Sequence, residues 1–295
     1  MRPDLFLSPD GFLSLGARCR QLPVIHDINF EHHPGDSKWL TSKYYRYFFP
    51  RFASEATRIA TVSEFSKKDI SDTYKIDPSK IDVVYNGINE FFKPADDWSQ
   101  QGTRTKFSYG KPYFLCVGAL HPRKNIKRLI EAFGIFKKNL KSDVKLMFAG
   151  PGFWGLKEIR RTIEKCEYQN DIIFTERLSD EDLSKVMSAA LALTYVPYFE
   201  GFGIPVIEAM AAEIPVITSN VTSLPEVAGD AALLVDPLNI SDIAAAMARV
   251  YQNRELREEL ISRGRARCHN FSWDRSAALL WESVEKSVRE QSPAF

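Results

Sequence analysis

Ten short apolar runs recur along the chain, at 4–8, 23–25, 59–62, 81–85, 113–117, 145–149, 171–175, 191–196, 215–218 and 232–235, each bounded by turn-forming residues. Between them the text changes to helix-period segments. Such alternation builds βαβ units, with strands paired in parallel and helices covering the sheet. The fold class expected is therefore α/β. Six runs fall after residue 110, enough for one doubly wound domain, and only four precede it. The stretch 92–111 is rich in Lys, Pro, Asp, Gln, Gly and Thr, shows no apolar period, and reads as the linker. We expect a first Rossmann-like domain over 1–103, a second over 104–270, and a final amphipathic helix within 271–295 able to cross back to the first. A Rossmann half of normal size needs about two or three further βα units of roughly 30 residues each, so the first domain is expected to be incomplete.

The chain has 295 residues, 44% of them hydrophobic and 26% charged, which suits two packed cores and excludes disordered and fibrous classes. With 39 basic and 38 acidic residues the net charge is +1, so no nucleic-acid partner is expected. Cys19, Cys116, Cys166 and Cys268 are scattered without a C-x-x-C spacing or a histidine partner at metal-ligand spacing. They read as reduced thiols of a cytoplasmic protein, and no metal site is expected. The apolar runs are too short to cross a bilayer, and Asp4 and Asp10 interrupt the region where a signal peptide needs an unbroken apolar stretch.

The segment Tyr198-Phe-Glu-Gly-Phe-Gly-Ile-Pro-Val-Ile-Glu208 follows the run that ends at Val196. Gly201 and Gly203 permit close backbone approach, and Pro205 suits the first helical position. The result is a bare helix N-terminus at the carboxyl end of a strand, where exposed amides attract an anion such as a phosphate. Glu200 and Glu208 flank it. A carboxylate in this setting can take two sugar hydroxyls; the plainer alternative is that both complement the helix dipole.

A second strand–turn–helix passage is Val117-Gly-Ala-Leu-His-Pro-Arg-Lys-Asn125. Asn125 can cap the helix that follows, whose apolar residues are Ile126, Leu129, Ile130 and Phe133. Arg123 and Lys124 then stand directly before a helix N-terminus, where cations are disfavoured unless an anion lies between them. A fork of donors beside a point charge suits a pyrophosphate.

In the first half, Pro23-Val-Ile-His26-Asp27 places His26 just past a strand, whereas His32 and His33 read as loop residues. Thr61-Val-Ser63-Glu-Phe-Ser66 reads as a strand end and a capped helix, Val84-Tyr-Asn86-Gly87-Ile as a strand end and a turn, and Gly150-Pro-Gly152 as a tight turn. Over 38–58, Trp39, Tyr44, Tyr45, Tyr47, Phe48 and Phe49 mix with Lys38, Lys43, Arg46 and Arg51. Such a helix suits peripheral contact with the inner face of a membrane, or simply packs on the first sheet.

In this order the motifs resemble the retaining glycosyltransferases of family 4, the glycosyl transferases group 1, with the GT-B fold of two Rossmann-like domains facing a cleft. The resemblance runs from Val24 to about Trp281, and the Glu200–Glu208 spacing matches that family's E-x7-E signature. It implies that Lys124 and Arg123 hold the donor pyrophosphate, that Glu208 binds the ribose and that Glu200 contacts the transferred sugar. Gly201, Phe202, Gly203 and Ile204 would supply backbone contacts to sugar and phosphate. His26 would act across the cleft, with His26 and Glu200 as the catalytic pair, and the loop at Glu176 and Arg177 would border the base. No cofactor is implied beyond the donor, a GDP- or UDP-linked sugar, and no metal. Ala119 stands where family members often carry arginine, so either Arg123 substitutes for it or pyrophosphate binding is weaker. The family's first strand and Gly-rich loop have no counterpart before Asp4.

The function expected is transfer of a hexose of mannose type to a glycan or lipid-linked acceptor, with retention, in surface polysaccharide assembly. The alternative of another class is a shortened, non-catalytic nucleotide-sugar-binding or partner-binding remnant. Turnover, not nucleotide binding, separates the two. Oligomeric state is not legible in the text.

Overall fold

The computed structural model describes residues 3–151 and 156–290. The chain divides into two compact units. The first takes the described residues up to Gly87, Glu200–Phe202 and the chain from Phe271 on; the second takes Ile88–Phe199 and Gly203–Asn270.

In the first unit β1 (Leu5–Ser8) pairs in parallel with β2 (Arg20–Pro23), Leu5 opposite Arg20 and Ser8 opposite Pro23. The short α1 (Asn29–His32) and the long α2 (Trp39–Glu55) follow. Then come β3 (Ile59–Thr61), α3 (Glu64–Tyr74) and β4 (Ile81–Val83), with Ile59 opposite Ile81. A bridge from Val24 to Ala60 joins the two strand pairs, and the Ile25 amide donates to the Ala60 carbonyl at 2.9 Å. The apolar run at 23–25 is thus the continuation of a ladder that starts at Arg20. Ile25, Ile28, Phe49, Phe52, Ile59, Ile70 and Ile81 form the core.

The second unit holds α4 (Asp97–Ser108), β5 (Tyr113–Val117), α5 (Ile126–Leu140), β6 (Lys145–Ala149) and α6 (Leu156–Lys165). Next are β7 (Ile172–Thr175), α7 (Asp180–Ser188), β8 (Ala192–Tyr195) and α8 (Ile204–Ala211). It ends with β9 (Val216–Ser219), α9 (Leu224–Ala228), β10 (Leu233–Val235), α10 (Ile240–Gln252) and α11 (Arg254–Cys268). All six strands are parallel, in the order β10-β9-β8-β5-β6-β7. Every residue of β5, β8 and β9 is buried, as central parallel strands covered on both faces are. The amphipathic α5 lays Ile126, Leu129, Ile130, Phe133 and Phe136 into the same core.

The stretch 92–111 is not a linker: it contains α4. Asp96 caps that helix by accepting from the Ser99 amide at 2.7 Å, Arg104 donates to the Ala189 carbonyl at 2.9 Å, and α4 packs on α7. Capping and helix pairing form it without an apolar period, and the first unit closes at Gly87 rather than near 103.

The last helix, α12 (Trp273–Arg289), belongs to the first unit and packs on β1 and β2. Arg58 anchors it: its guanidinium donates to both Asp82 oxygens at 2.8 and 2.9 Å and to Glu290 at 2.5 Å. Ser283 and Lys286 of α12 meet the same Asp82 at 2.9 and 3.1 Å.

Candidate functional site

In the second unit the chain runs β5, β6, β7 towards one edge of the sheet, then returns to place β8, β9 and β10 on the other side of β5. The reversal falls between β5 and β8, and ligands of doubly wound sheets bind outside the carboxyl ends of strands at such a point. Both motif loops lie there. After β5 the backbone turns at Gly118, φ +125°, which any side chain would strain. Gly150 at the end of β6 packs so close that a Cβ on it would lie 2.3 Å from the Gly118 carbonyl oxygen. Of the expected Gly150–Gly152 turn, Gly152 lies outside the described residues.

Lys124 closes a 3₁₀ turn, Pro122–Lys124. Its stem passes Gly118, where an added Cβ would sit 3.6 Å from Cε, and its ammonium donates to the Tyr195 hydroxyl, 4.7 Å from that ring's centroid. Lys124 thus spans the ends of the two strands on either side of the reversal. Arg123 enters through its backbone: its amide donates to His121 Nδ1 at 3.3 Å, and its carbonyl accepts from the Tyr198 amide at 3.1 Å.

Asn125 does not cap α5. It is left-handed, φ 60° and ψ 29°, with no side-chain bond to the helix amides. Its buried Nδ2 instead donates to the Val196 and Pro237 carbonyls at 3.1 and 2.6 Å, pinning the β5 loop to the loops after β8 and β10. Ser219 adds a bond to the Pro197 carbonyl at 2.5 Å.

Gly203 opens α8 with φ +99°, and a Cβ there would meet Leu224 Cδ2 at 2.6 Å. Leu224 heads α9, so the loop after β9 shapes this helix start, a partner that no motif in the sequence marks. Ile204 is half-exposed and Pro205 sits in the first turn, where its missing N–H costs nothing. No acidic side chain lies in that turn, so Glu208 does not complement the helix dipole at its N-terminus. Glu208 lies one turn further on, half-buried. Burial, with the nearby Asp180 charge adding to it, pushes its carboxyl up to about 7. Asp180 starts α7 directly after the exposed loop of Glu176 and Arg177, which brings that loop's end into the electrostatic range of Glu208. A separate cavity of about 670 Å³, lined by Ile130, Ile135, Lys165, Cys166 and Tyr168 among others, contains none of the residues expected to bind the donor or to act in catalysis.

The first unit gathers His26 and Glu200–Phe202. His26 is exposed at the end of the β2 extension, and its Nε2 lies 3.0 Å from the Pro9 carbonyl. A carbonyl only accepts, so Nε2 carries the proton and Nδ1 is the basic nitrogen of the neutral ring. Gly201 packs against the same residue: a Cβ on it would lie 2.3 Å from the His26 carbonyl oxygen and 2.9 Å from Asp27 Cβ. Ser63, the N-cap of α3, donates to the Gly201 carbonyl at 2.6 Å, and Ser66 reaches the His26 and Gly201 carbonyls at 3.0 and 3.2 Å. The Ser63–Ser66 motif therefore positions the glycine beside His26, a role that its sequence, read as a capped helix, left open. Glu200 is buried at 9% exposure. Phe202 is anchored by Tyr85 and Phe271, its ring 6.1 and 5.7 Å from theirs. Gly87 lies so close to α12 that a Cβ would meet the Trp273 amide nitrogen at 2.3 Å.

Among the described residues no helix is long and apolar enough to cross a membrane. Residues 101–267 match the family described as glycosyl transferases group 1, and residues 2–90 match glycosyltransferase family 4. O-antigen chain mannosyltransferase B of Escherichia coli is 30% identical over 260 residues, which cover 86% of this chain and 67% of that protein. O-antigen chain mannosyltransferase RfbU of Salmonella typhimurium is 30% identical over 232 residues, 79% of this chain and 61% of that protein. The chain thus spans roughly two thirds of the length of these relatives. The structure of sucrose-phosphate synthase from Thermosynechococcus elongatus superposes with a TM-score of 0.78 at 21% identity, over 91% of this chain and 68% of that one, a likeness of fold. Motif order, sheet topology and sequence agree that this chain belongs to the glycosyl transferases group 1, the family-4 glycosyltransferases of GT-B fold.

Proposed function

We propose that the chain transfers mannose from a nucleotide-diphosphate donor, GDP-mannose in the first instance, to a hydroxyl of a glycan or lipid-linked acceptor with retention at the anomeric carbon. The observation that carries this reading is the placement of Lys124, whose ammonium is held on Tyr195 at the switch point of the sheet. The α8 N-terminus follows from the same β8 loop. A diphosphate there meets a cation and a row of helix amides. Two relatives of similar sequence are named as mannosyltransferases, which favours mannose over other hexoses.

In this reading Lys124 and Arg123 take the diphosphate, with the amides of Gly203 and Ile204, and no metal or other cofactor is needed. Glu208 accepts from the ribose hydroxyls, and Glu176 and Arg177 border the base. Glu200, with Gly201 and Phe202, and His26 hold the transferred sugar. The bond from the anomeric carbon to the diphosphate oxygen breaks while the acceptor oxygen bonds to the same face. The acceptor proton passes to the departing phosphate. The protein's task is electrostatic, stabilising negative charge as it grows on the leaving diphosphate.

Calorimetric titration with GDP, UDP, GDP-mannose and UDP-glucose, followed by a turnover assay on whichever donor binds, tests the proposal. GDP-mannose should bind and turn over, and Lys124→Ala and Glu208→Ala should each weaken diphosphate binding about tenfold or more without lowering the unfolding midpoint. Absence of donor binding, or unchanged affinity in both variants, overturns it.

A further inference from the structure

The outward face of α2 does not look like the solvent side of an ordinary amphipathic helix. Its inner face carries Ser42, Phe49, Phe52 and Ala53 into the first core, as such a helix should. On the other side Trp39 is 66% exposed, Leu40 73%, Tyr44 44% and Tyr47 55%. Cations are interleaved with them: the Lys43 ammonium stands 4.0 Å from the centre of the Trp39 ring, and the Arg51 guanidinium 3.6 Å from that of Tyr47. Phe12, itself partly exposed, adds its ring 6.5 Å from that of Tyr44. Lys43, Tyr44, Arg46, Tyr47 and Phe48 line a shallow hollow on this face. Between Asp36 and Glu55 the chain carries Lys38, Lys43, Arg46 and Arg51 and no acidic residue.

We propose that this face of α2 seats the protein on an anionic lipid surface, with Trp39 and Leu40 entering the headgroup region and Lys43 and Arg51 meeting lipid phosphates. Trp and Tyr suit a bilayer interface because each has an apolar body and a polar edge, and Lys and Arg stems lie along apolar surface while their heads reach anions. The local charge is what selects the partner, since the whole chain carries only +1. A second copy fits this face poorly, because two-fold pairing sets the patch against itself and brings Lys43 and Arg51 against the same cations. The inference does not rest on the donor reading.

Co-sedimentation of the full chain with vesicles of phosphatidylcholine alone and of equimolar phosphatidylcholine and phosphatidylglycerol decides it. The chain should sediment with the second and not the first, and high salt should release it. A Lys43→Glu, Arg51→Glu double variant should partition at least tenfold less, since each cation at an anionic surface contributes roughly fivefold, about 1 kcal/mol. Trp39→Ser with Leu40→Ser should also lose binding. All four side chains are on the surface, so unchanged unfolding midpoints show that the variants fold. Equal sedimentation with both vesicle types, none with either, or self-association that these substitutions abolish without any vesicle binding, overturns the proposal.

Discussion

The amide of Tyr198 donates to the carbonyl of Arg123 across 3.1 Å, which ties the loop after β8 to the loop after β5 at the point where the sheet order reverses. Two segments 75 residues apart in the chain are thereby joined directly beside the proposed diphosphate site. Asn125 reinforces the tie from beneath with its two bonds to Val196 and Pro237.

Asn125→Ala should be costly twice over. It leaves two buried carbonyls without their donor and puts a Cβ-bearing residue without a local hydrogen-bonding side chain at φ 60°. A loss of about 2–4 kcal/mol in denaturant unfolding is expected, with weaker nucleotide binding. Asn125→Gly keeps the left-handed turn and should recover about 1 kcal/mol of that loss. Equal destabilisation by the two substitutions would show that backbone strain plays no part.

Gly201→Ala tests the packing of the glycine loop on His26. The new Cβ would need to lie 2.3 Å from the His26 carbonyl oxygen, a backbone atom held by Ser66 at 3.0 Å and unable to swing aside. Transfer activity should fall at least about a hundredfold, because a 1 Å displacement of reacting groups costs that much. Ser63→Ala removes the N-cap of α3 and the bond to Gly201 together. It should cost about 1–2 kcal/mol in stability, read from the same unfolding curves.

The strands were legible in the text because the alternation of apolar runs and helical segments is a local property, and each run lies on or against a strand. β2 is displaced towards Arg20 because two of its four residues, Arg20 and Gln21, are polar; Gln21 is held by Thr57, whose hydroxyl accepts from its amide at 3.2 Å. α4 left no apolar signature, as its stability comes from Asp96 and α7. The motif residues themselves could be named, but not their partners. Lys124 meets Tyr195 and Ser63 meets Gly201 across separations of 71 and 138 residues, and only the fold brings them together. Asn125 serves the loops rather than the helix for the same reason, since its acceptors, Val196 and Pro237, lie 71 and 112 residues away.

Acid should loosen the attachment of α12. Burial alone would raise the Asp82 carboxyl, but hydrogen bonds from Arg58, Lys286 and Ser283 outweigh it and hold the group below the usual carboxylate range. A carboxyl depressed in the folded state contributes stability that is complete above its unfolded value, about 3.9, and fades as pH falls through the folded one. Asp82→Asn leaves the Arg58 guanidinium without its main counter-charge at 10% side-chain exposure and should cost about 3 kcal/mol at neutral pH. The variant should also lose part of the acid limb of the stability profile, measured as unfolding midpoint against pH. An unaltered acid limb would assign it to other carboxylates.

Glu208 has the opposite sign. Its folded carboxyl, pushed up to about 7 from an ordinary 4.5, binds a proton more tightly than the unfolded chain does. Stability should therefore fall as pH rises between those two values and level off above them, a penalty on the order of 2–3 kcal/mol. Glu208→Gln should abolish that fall and make the protein more stable than the native chain above neutral pH. Donor binding supplies the functional half of the test. A ribose that donates two hydroxyls favours the carboxylate, so affinity for GDP-mannose should strengthen as pH rises through about 7 and binding should release protons. The diphosphate diester of the donor has no proton to lose in this range, so the pH dependence reports the protein. Titrations in buffers of different ionisation enthalpy count the protons directly. If Glu208→Gln retains the same release, the titrating group is elsewhere and the ribose contact is wrongly assigned; if the release vanishes with the affinity, the stability that Glu208 costs the fold is tied to the hydroxyls it was proposed to bind.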